Sequence, residues 1–173
     1  MLSKIVLSFM LFALMLTVVA CIGTASTPAP TPTPTPTPKP SGPIKGAWVS
    51  PQVVGDIISI PVSEIENNWN IHFKVATQSG DMTFMAYVVD EKIHVRANVC
   101  PPCRSIGYSL DKDILVCDRC ATTFKAKTGD GIKGACVDYP KALVPYGITD
   151  GKLAMKEADL IAAYQNTLKP GWP

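Results

Sequence analysis

Two Cys-x-x-Cys pairs, Cys100-Pro-Pro-Cys103 and Cys117-Asp-Arg-Cys120, stand thirteen residues apart, and Cys136 follows after fifteen more. No other feature restricts the fold as tightly. Each pair makes a turn whose two sulfurs reach one ion, and two such turns must meet to complete a shell of four soft ligands. Four thiolates suit zinc, iron or an iron–sulfur cluster and exclude magnesium and calcium. Ligation would also hold together two loops that are otherwise costly to order.

Two other uses of these thiols compete with a metal. An exported protein meets an oxidising environment in which disulfides form; against full pairing stand the odd count of five and the tiny loops that such bridges would close. A thioredoxin-like dithiol needs its pair at the start of a helix, where the helix N-terminus lowers the thiol pKa, and neither pair precedes a helical pattern. The candidate ligands are therefore Cys100, Cys103, Cys117 and Cys120. Cys136, in Gly134-Ala-Cys136, remains open as a buried small residue, a disulfide partner or an additional ligand near the site. The pairs also differ from each other. Pro101 and Pro102 remove backbone donors that Asp118 and Arg119 keep, so thiolate charge should be spread unevenly between them.

The surrounding sequence reads as β. Ile71, Phe73 and Val75 alternate with Asn70, His72 and Lys74, which marks a strand with one apolar and one polar face. Ser79-Gly-Asp81 turns the chain into Met82 to Val89, and Asp90-Glu91 turns it again into Lys92 to Val99, giving a three-stranded meander that delivers the chain to Cys100. Ile57 to Ile60 is a short strand, and Ser63 with Glu66 has the spacing of a capping box for one helical turn. Ser105 to Leu110 and Ile114 to Val116 flank a polar tip and form a hairpin that brings the cysteine pairs together. Thr122 to Ala126 and Lys152 to Lys156 are further strands, separated by a Gly-rich loop over Thr128 to Gly134. Leu160, Ile161 and Tyr164 place a short amphipathic helix over Glu157 to Thr167. His72 and His94, on polar strand faces, are expected to be solvated rather than ligating.

The termini add a location. Residues 1 to 20 have the shape of a secretory signal, Lys4 followed by an uncharged apolar run, and they end in Val18-Val-Ala-Cys21, a lipobox-like sequence that makes Cys21 the expected lipid attachment point; an uncleaved membrane-spanning helix is the alternative. Residues 21 to 43 are a linker. Ser26 to Pro43 holds eight of the sixteen prolines, and at about 3.1 Å per residue such a polyproline stalk reaches roughly 55 Å. Residues 44 to 173 then form one cysteine-rich domain outside the cytoplasm. Of sixteen Lys+Arg, Lys4 and Lys39 precede that domain, leaving fourteen against fourteen Asp+Glu. A neutral domain without a basic stripe argues against nucleic-acid binding.

Cys100-Pro-Pro-Cys103, Leu115-Val-Cys-Asp-Arg-Cys120, Gly129-Asp-Gly-Ile132, Gly134-Ala-Cys136 and Tyr139-Pro140 together resemble the FtrD-like membrane iron–sulfur proteins, over roughly Ile71 to Leu160. The arrangement is also similar to Rieske proteins, with Cys-x-x-Cys replacing each Cys-x-His. The resemblance implies a small, mostly β domain of Rieske-like or rubredoxin-like kind with metal-binding loops and a short C-terminal helix. It further implies iron–sulfur or iron-binding chemistry in membrane-associated electron transfer or iron handling, with a membrane redox or iron-transport partner; no enzymatic activity follows from it, and a carrier or metal-binding protein rather than an enzyme is expected. No twin-arginine pair precedes the apolar run, so export would be in an unfolded state and the metal would load outside, which keeps mononuclear iron or zinc beside the cluster. A zinc-stapled binding module and a thiol oxidoreductase are the alternative functions.

Overall fold

The computed structural model describes residues 38–171. The expected signal segment, the expected attachment point Cys21 and the linker up to residue 37 lie outside the described residues. Strand β1 (Ala47–Val49) is followed by β2 (Gln52–Val54), β3 (Ile57–Pro61) and helix α1 (Val62–Asn68). The meander follows as β4 (Asn70–Thr77), β5 (Gly80–Val89) and β6 (Lys92–Ala97). Beyond the first cysteine loop come β7 (Tyr108–Asp111), β8 (Ile114–Cys117), β9 (Thr123–Lys125) and β10 (Gly131–Lys133), then β11 (Gly147–Thr149), β12 (Lys152–Lys156) and α2 (Glu157–Thr167). The protein is thus mostly β with a short C-terminal helix, as the alternation pattern predicts.

Three four-stranded sheets result, ordered β1-β4-β5-β6, β10-β9-β8-β7 and β11-β12-β3-β2. Within them β1 runs parallel to β4, and the other pairings are antiparallel. The meander's second turn is a two-residue hairpin closing Val89 against Lys92, with Asp90 and Glu91 both at positive φ, the backbone that matches strand twist.

β5 explains how the sheets stack. Met82, Phe84, Ala86 and Val88 enter one core with Ile58, Ile60, Leu153 and Met155 from β3 and β12, Ile65 from α1 and Leu160 from α2. Met85, Tyr87 and Val89, on the opposite face, enter a second core with Tyr108, Leu110, Leu115, Phe124 and three cysteines. A strand covered on both faces has no exposed position to mark its period, which is why Met82 to Val89 is buried without interruption. β4 is covered on both faces only at its start.

That partial cover overturns the expectation for His72, which is 2% exposed rather than solvated. Its Nε2 lies 3.1 Å from the Tyr108 carbonyl, and Asn70 Nδ2 donates to the same carbonyl at 2.9 Å and to the Ile44 carbonyl at 3.0 Å. The polar face of β4 is therefore the seam on which β7 and the incoming chain at Ile44 are hung. Burial holds the His72 imidazole below its usual pKa, opposed by the Tyr108 hydrogen bond and the Asp118 charge. His94 is half-buried and likewise pushed down, first by burial and then by the Arg96 charge.

Two further expectations are corrected. Ser63 is not an N-cap: α1 begins at Val62 after Pro61, no side chain caps it, and the Val62 N–H is satisfied at 2.9 Å by the Gly151 carbonyl of the β11–β12 turn. Tertiary pairing thus replaces the capping box. The Gly-rich segment 128–134 is not all loop, because β10 pairs with β9 through Gly131 and Phe124 and closes the edge of the cysteine-bearing sheet.

Candidate metal centre

The two cysteine pairs occupy equivalent loops. In the first, the Cys100 N–H donates to the Ser105 carbonyl at 2.9 Å and the Arg104 N–H to the Cys100 carbonyl at 2.7 Å. In the second, Cys117 bonds Thr122 at 2.9 Å and Ala121 bonds Cys117 at 2.9 Å in the same pattern. Arg104 and Ala121, the fifth residue of each loop, share a left-handed backbone with φ of 57° and 55°. Each loop therefore reads Cys-x-x-Cys-x-Ser/Thr, a repeat visible in the sequence that spacing of the cysteines alone does not exploit.

The sixth residue has a job. The Ser105 hydroxyl donates to the Gly107 carbonyl at 3.1 Å and favours the thiolate of Cys117, the first thiol of the opposite loop, whereas the Thr122 hydroxyl lies 3.2 Å from Cys120 in its own. Backbone bonding joins the loops directly, with the Asp118 N–H donating to the Gly107 carbonyl at 3.0 Å. The β7–β8 hairpin thus does what the sequence predicts and sets the two pairs side by side.

A third loop reaches the same place. Gly134 has φ of +122°, and a Cβ there would stand 2.5 Å from Thr122 Oγ1 and 2.7 Å from Thr122 Cα. Glycine is needed on both counts. The approach it permits lets the Cys136 N–H donate to Thr122 Oγ1 at 3.3 Å and brings the Cys136 sulfur to 3.7 Å from that of Cys120.

Five thiols therefore converge, all of them free. The sulfurs of Cys100, Cys103, Cys120 and Cys136 lie within 4.8 Å of one another, and Cys117 lies 3.7 Å from Cys103. This quartet differs from the two-pair set by having Cys136 where the pairs have Cys117. Cys100, Cys117 and Cys136 are buried, while Cys103 and Cys120 are half-exposed at the outer edge.

Hydrogen bonding to sulfur is uneven in the sense that the prolines predict. Cys117 receives the backbone N–H groups of Cys120 and Arg119, whereas Cys100 receives that of Cys103 alone, because Pro102 has none to give. Burial pushes the Cys100 thiol up to about 11. It also raises Cys103, Cys117 and Cys136. Burial acts the same way on Cys120, but hydrogen bonds from Thr122 and from the Cys117 and Cys103 thiols outweigh it and bring Cys120 down to about 6. Of the five thiols Cys120 is thus the one favoured as a thiolate, and ligation would require the others to ionise as well.

The donor set fits a thiolate-bound metal group. It contains only sulfur, it sits in a low-dielectric pocket, and a tetrahedral shell with metal–sulfur bonds of about 2.3 Å needs sulfur–sulfur edges of about 3.8 Å; the two-pair set has one such edge in Cys103–Cys117 and the quartet with Cys136 one in Cys120–Cys136, each 3.7 Å. Neither histidine belongs to it, since His72 is engaged with Tyr108 and His94 stacks on Tyr87. Sequence reasoning passed over Lys141, which lies under the site and is 1% exposed. An isolated lysine between alanine and proline gives no local signal of burial.

Fold and site together define a small β protein built around a cysteine-only metal centre. The chain belongs to the family described as membrane iron-sulfur containing protein, FtrD-like, whose model matches residues 55–166. Among solved structures, it is similar to a chain of the complex of reduced oxygenase and oxidized ferredoxin in carbazole 1,9a-dioxygenase, with 14% identity, a TM-score of 0.49, and coverage of 59% of this chain and 94% of that one. It is also similar to the Sphingomonas yanoikuyae B1 ferredoxin, with 24% identity, a TM-score of 0.40, and coverage of 48% and 83%. No curated protein sequence matches it. Among the described residues, no helix is long and apolar enough to cross a membrane.

Proposed function

We propose that this protein is an electron carrier that holds an iron–sulfur group on its converged cysteines, tethered through a lipid on Cys21 to the outer face of the cytoplasmic membrane. The observation that carries the proposal is the meeting of five free thiols in three loops, two of them half-exposed at the edge of an otherwise dry pocket. Family membership supports the cofactor class. Bound there, the group would supply a one-electron couple.

The protein's own residues do the rest. The loop pattern through Ser105 and Thr122 fixes the sulfurs before loading, so little reorganisation accompanies a change of charge. Cys103 and Cys120, at the outer edge, are the route toward a membrane redox or iron-transport partner. Carriage of electrons rather than catalysis is the proposed role.

The ligands proposed for a cluster are Cys100, Cys103, Cys117 and Cys120, because the two loops are equivalent and present their sulfurs as pairs, with Cys136 as a neighbour. One observation favours a second reading, a single zinc or iron ion: the quartet compact enough for one tetrahedral ion contains Cys136 and omits Cys117. Full-length chain purified in detergent, anaerobically and under reducing conditions, should contain iron and sulfide and show sulfur-to-iron charge-transfer absorption. A colourless protein with one zinc would refute the electron carrier. Serine replacements separate the ligand sets: Cys117→Ser should lose the metal while Cys136→Ser keeps most of it, and the reverse outcome would assign the single-ion quartet. Incorporation of labelled fatty acid that persists in Cys21→Ala would refute the anchor.

A further inference from the structure

Lys141 is one of two cationic side chains buried among the described residues, and no aspartate or glutamate is buried with it. Its Nζ donates to the Val99 carbonyl at 2.8 Å, the peptide oxygen immediately before Cys100, and that oxygen also accepts from the Tyr108 hydroxyl at 3.3 Å. The ammonium lies 4.6 Å from the centre of the Phe124 ring and 5.3 Å from that of Tyr108. Both rings share the second core with Cys100, Cys117 and Cys136. The other buried cation, Arg96, is spent on the Tyr87 hydroxyl and on carbonyls.

A buried charge needs an opposite charge within its low-dielectric surroundings. For Lys141 no carboxylate supplies it. The charges that pull its ammonium back toward the protonated form are those of Cys100, Cys117, Cys136 and Cys103, against burial, which holds its pKa down to about 8. One carbonyl and two ring faces solvate an ammonium partially and leave its charge uncompensated.

We propose that Lys141 is the fixed countercharge of the cysteine centre, a positioning residue that stabilises the more negative state of whatever metal group the thiolates hold. This rests on the metal-centre reading above. Charge balance gives the sign. Four cysteine thiols that bind one Zn2+ as thiolates release four protons, so the site passes from neutral to a charge of −2. One-electron reduction of an iron–sulfur or mononuclear iron centre adds one negative charge. A neighbouring cation favours the product in both cases.

The test uses full-length chain in detergent, with Lys141→Met and Lys141→Gln as neutral variants and Lys141→Arg as the charge-retaining one. Zinc affinity, read by competition with a chromogenic chelator at neutral pH, should weaken in the neutral variants by on the order of ten- to a hundredfold, from one charge interacting at an effective dielectric of about 20. The midpoint potential of the iron-loaded protein should fall by at least about 59 mV, a tenfold change for a one-electron couple. Lys141→Arg should stay nearer the unsubstituted protein in both. Neutral variants that fold with unchanged zinc affinity and potential would overturn the proposal. Should they not fold, the 15N signal of the Lys141 side chain in the zinc-loaded unsubstituted protein decides: an ammonium at neutral pH supports it and a neutral amine overturns it. Zinc affinity does not require a redox cofactor, so failure of the electron-carrier reading leaves this test intact.

Discussion

Replacing Arg96 by methionine should uncouple the cysteine-bearing sheet from the meander. Arg96 is 3% exposed on β6 and crosses between layers. Its Nε donates to the Tyr87 hydroxyl at 3.0 Å, one terminal nitrogen to the Lys141 carbonyl at 2.6 Å and the other to the Lys127 carbonyl at 2.5 Å. Tyr87 in turn donates to the Ala126 carbonyl at 2.6 Å, so a single side chain ties two segments, Ala126–Lys127 and Lys141, to the meander. A hydrogen bond to a charged group contributes about 1.5–3 kcal/mol and a buried group left unpaired costs about 1–3. Against three lost bonds stands relief of the cation's desolvation, several kcal/mol per ion. Water can replace the guanidinium at the half-buried Lys127 carbonyl but not readily at that of Lys141. The net cost should be about 3–4 kcal/mol, a large share of the roughly 5–15 kcal/mol that holds a domain together. Urea unfolding followed by tryptophan fluorescence, with the slope unchanged between variants, measures it. A loss below about 1 kcal/mol would refute the view that Arg96 is a cross-layer staple.

Gly46→Ala should cost about 1–3 kcal/mol through overpacking, because its Cβ would stand 2.2 Å from the His72 ring. In a His72→Ala background the same change should cost little, and equal costs in both backgrounds would dismiss the contact. Gly134→Ala should loosen the third loop and carry Cys136 away from Cys120, so alkylation of Cys136 should quicken with the other thiols little changed; unchanged reactivity would contradict the role given to that glycine. The pH dependence follows from His72, whose folded pKa lies below its ordinary 6.5. Its unfolded form takes a proton that the folded form refuses, so this contribution is fully present above about 6.5 and lost as pH falls through it. Urea midpoints should therefore drop between pH 7 and 5, and His72→Gln should flatten the drop.

How much of this was legible in the sequence depends on which residues are asked. The meander, the cysteine hairpin, β12 and α2 were readable because each has a hydrophobic period or a turn of its own. β1, β2 and β11 have three residues apiece and too few positions to show a period. His72 was misread because alternation reports that two faces differ, and a polar face is normally the wet one; here the polar atoms bond the backbone of another sheet. The convergence of the two pairs followed from their spacing. Arrival of Cys136 did not, since it depends on Gly134 lying against Thr122, a contact between two loops. Lys141 is the extreme case, because a buried cation is recognisable only from what surrounds it.

The unequal hydrogen bonding of the two loops and the position of Lys141 bear on the same sulfur. Burial is the main cause of the rise of Cys100 to about 11, and Pro102 adds to it by removing a donor of the kind that Arg119 supplies to Cys117. Lys141 is anchored to the carbonyl that precedes this same cysteine. A distributed set of neutral donors at one loop is therefore matched at the other by a single full charge. The two are not equivalent in effect: N–H dipoles act on the sulfur they touch, whereas a charge in a low-dielectric pocket acts on every thiolate within its reach. If both loops were stabilised by dipoles alone, replacing Pro102 by alanine would restore the missing donor and make Lys141 dispensable. The charge argument requires the opposite. Pro102→Ala should raise the potential of the iron-loaded centre slightly by adding one N–H to sulfur bond, while a Pro102→Ala/Lys141→Met double variant should still fall well below the unsubstituted protein. A double variant with the original potential would show that Lys141 serves only to compensate for the proline.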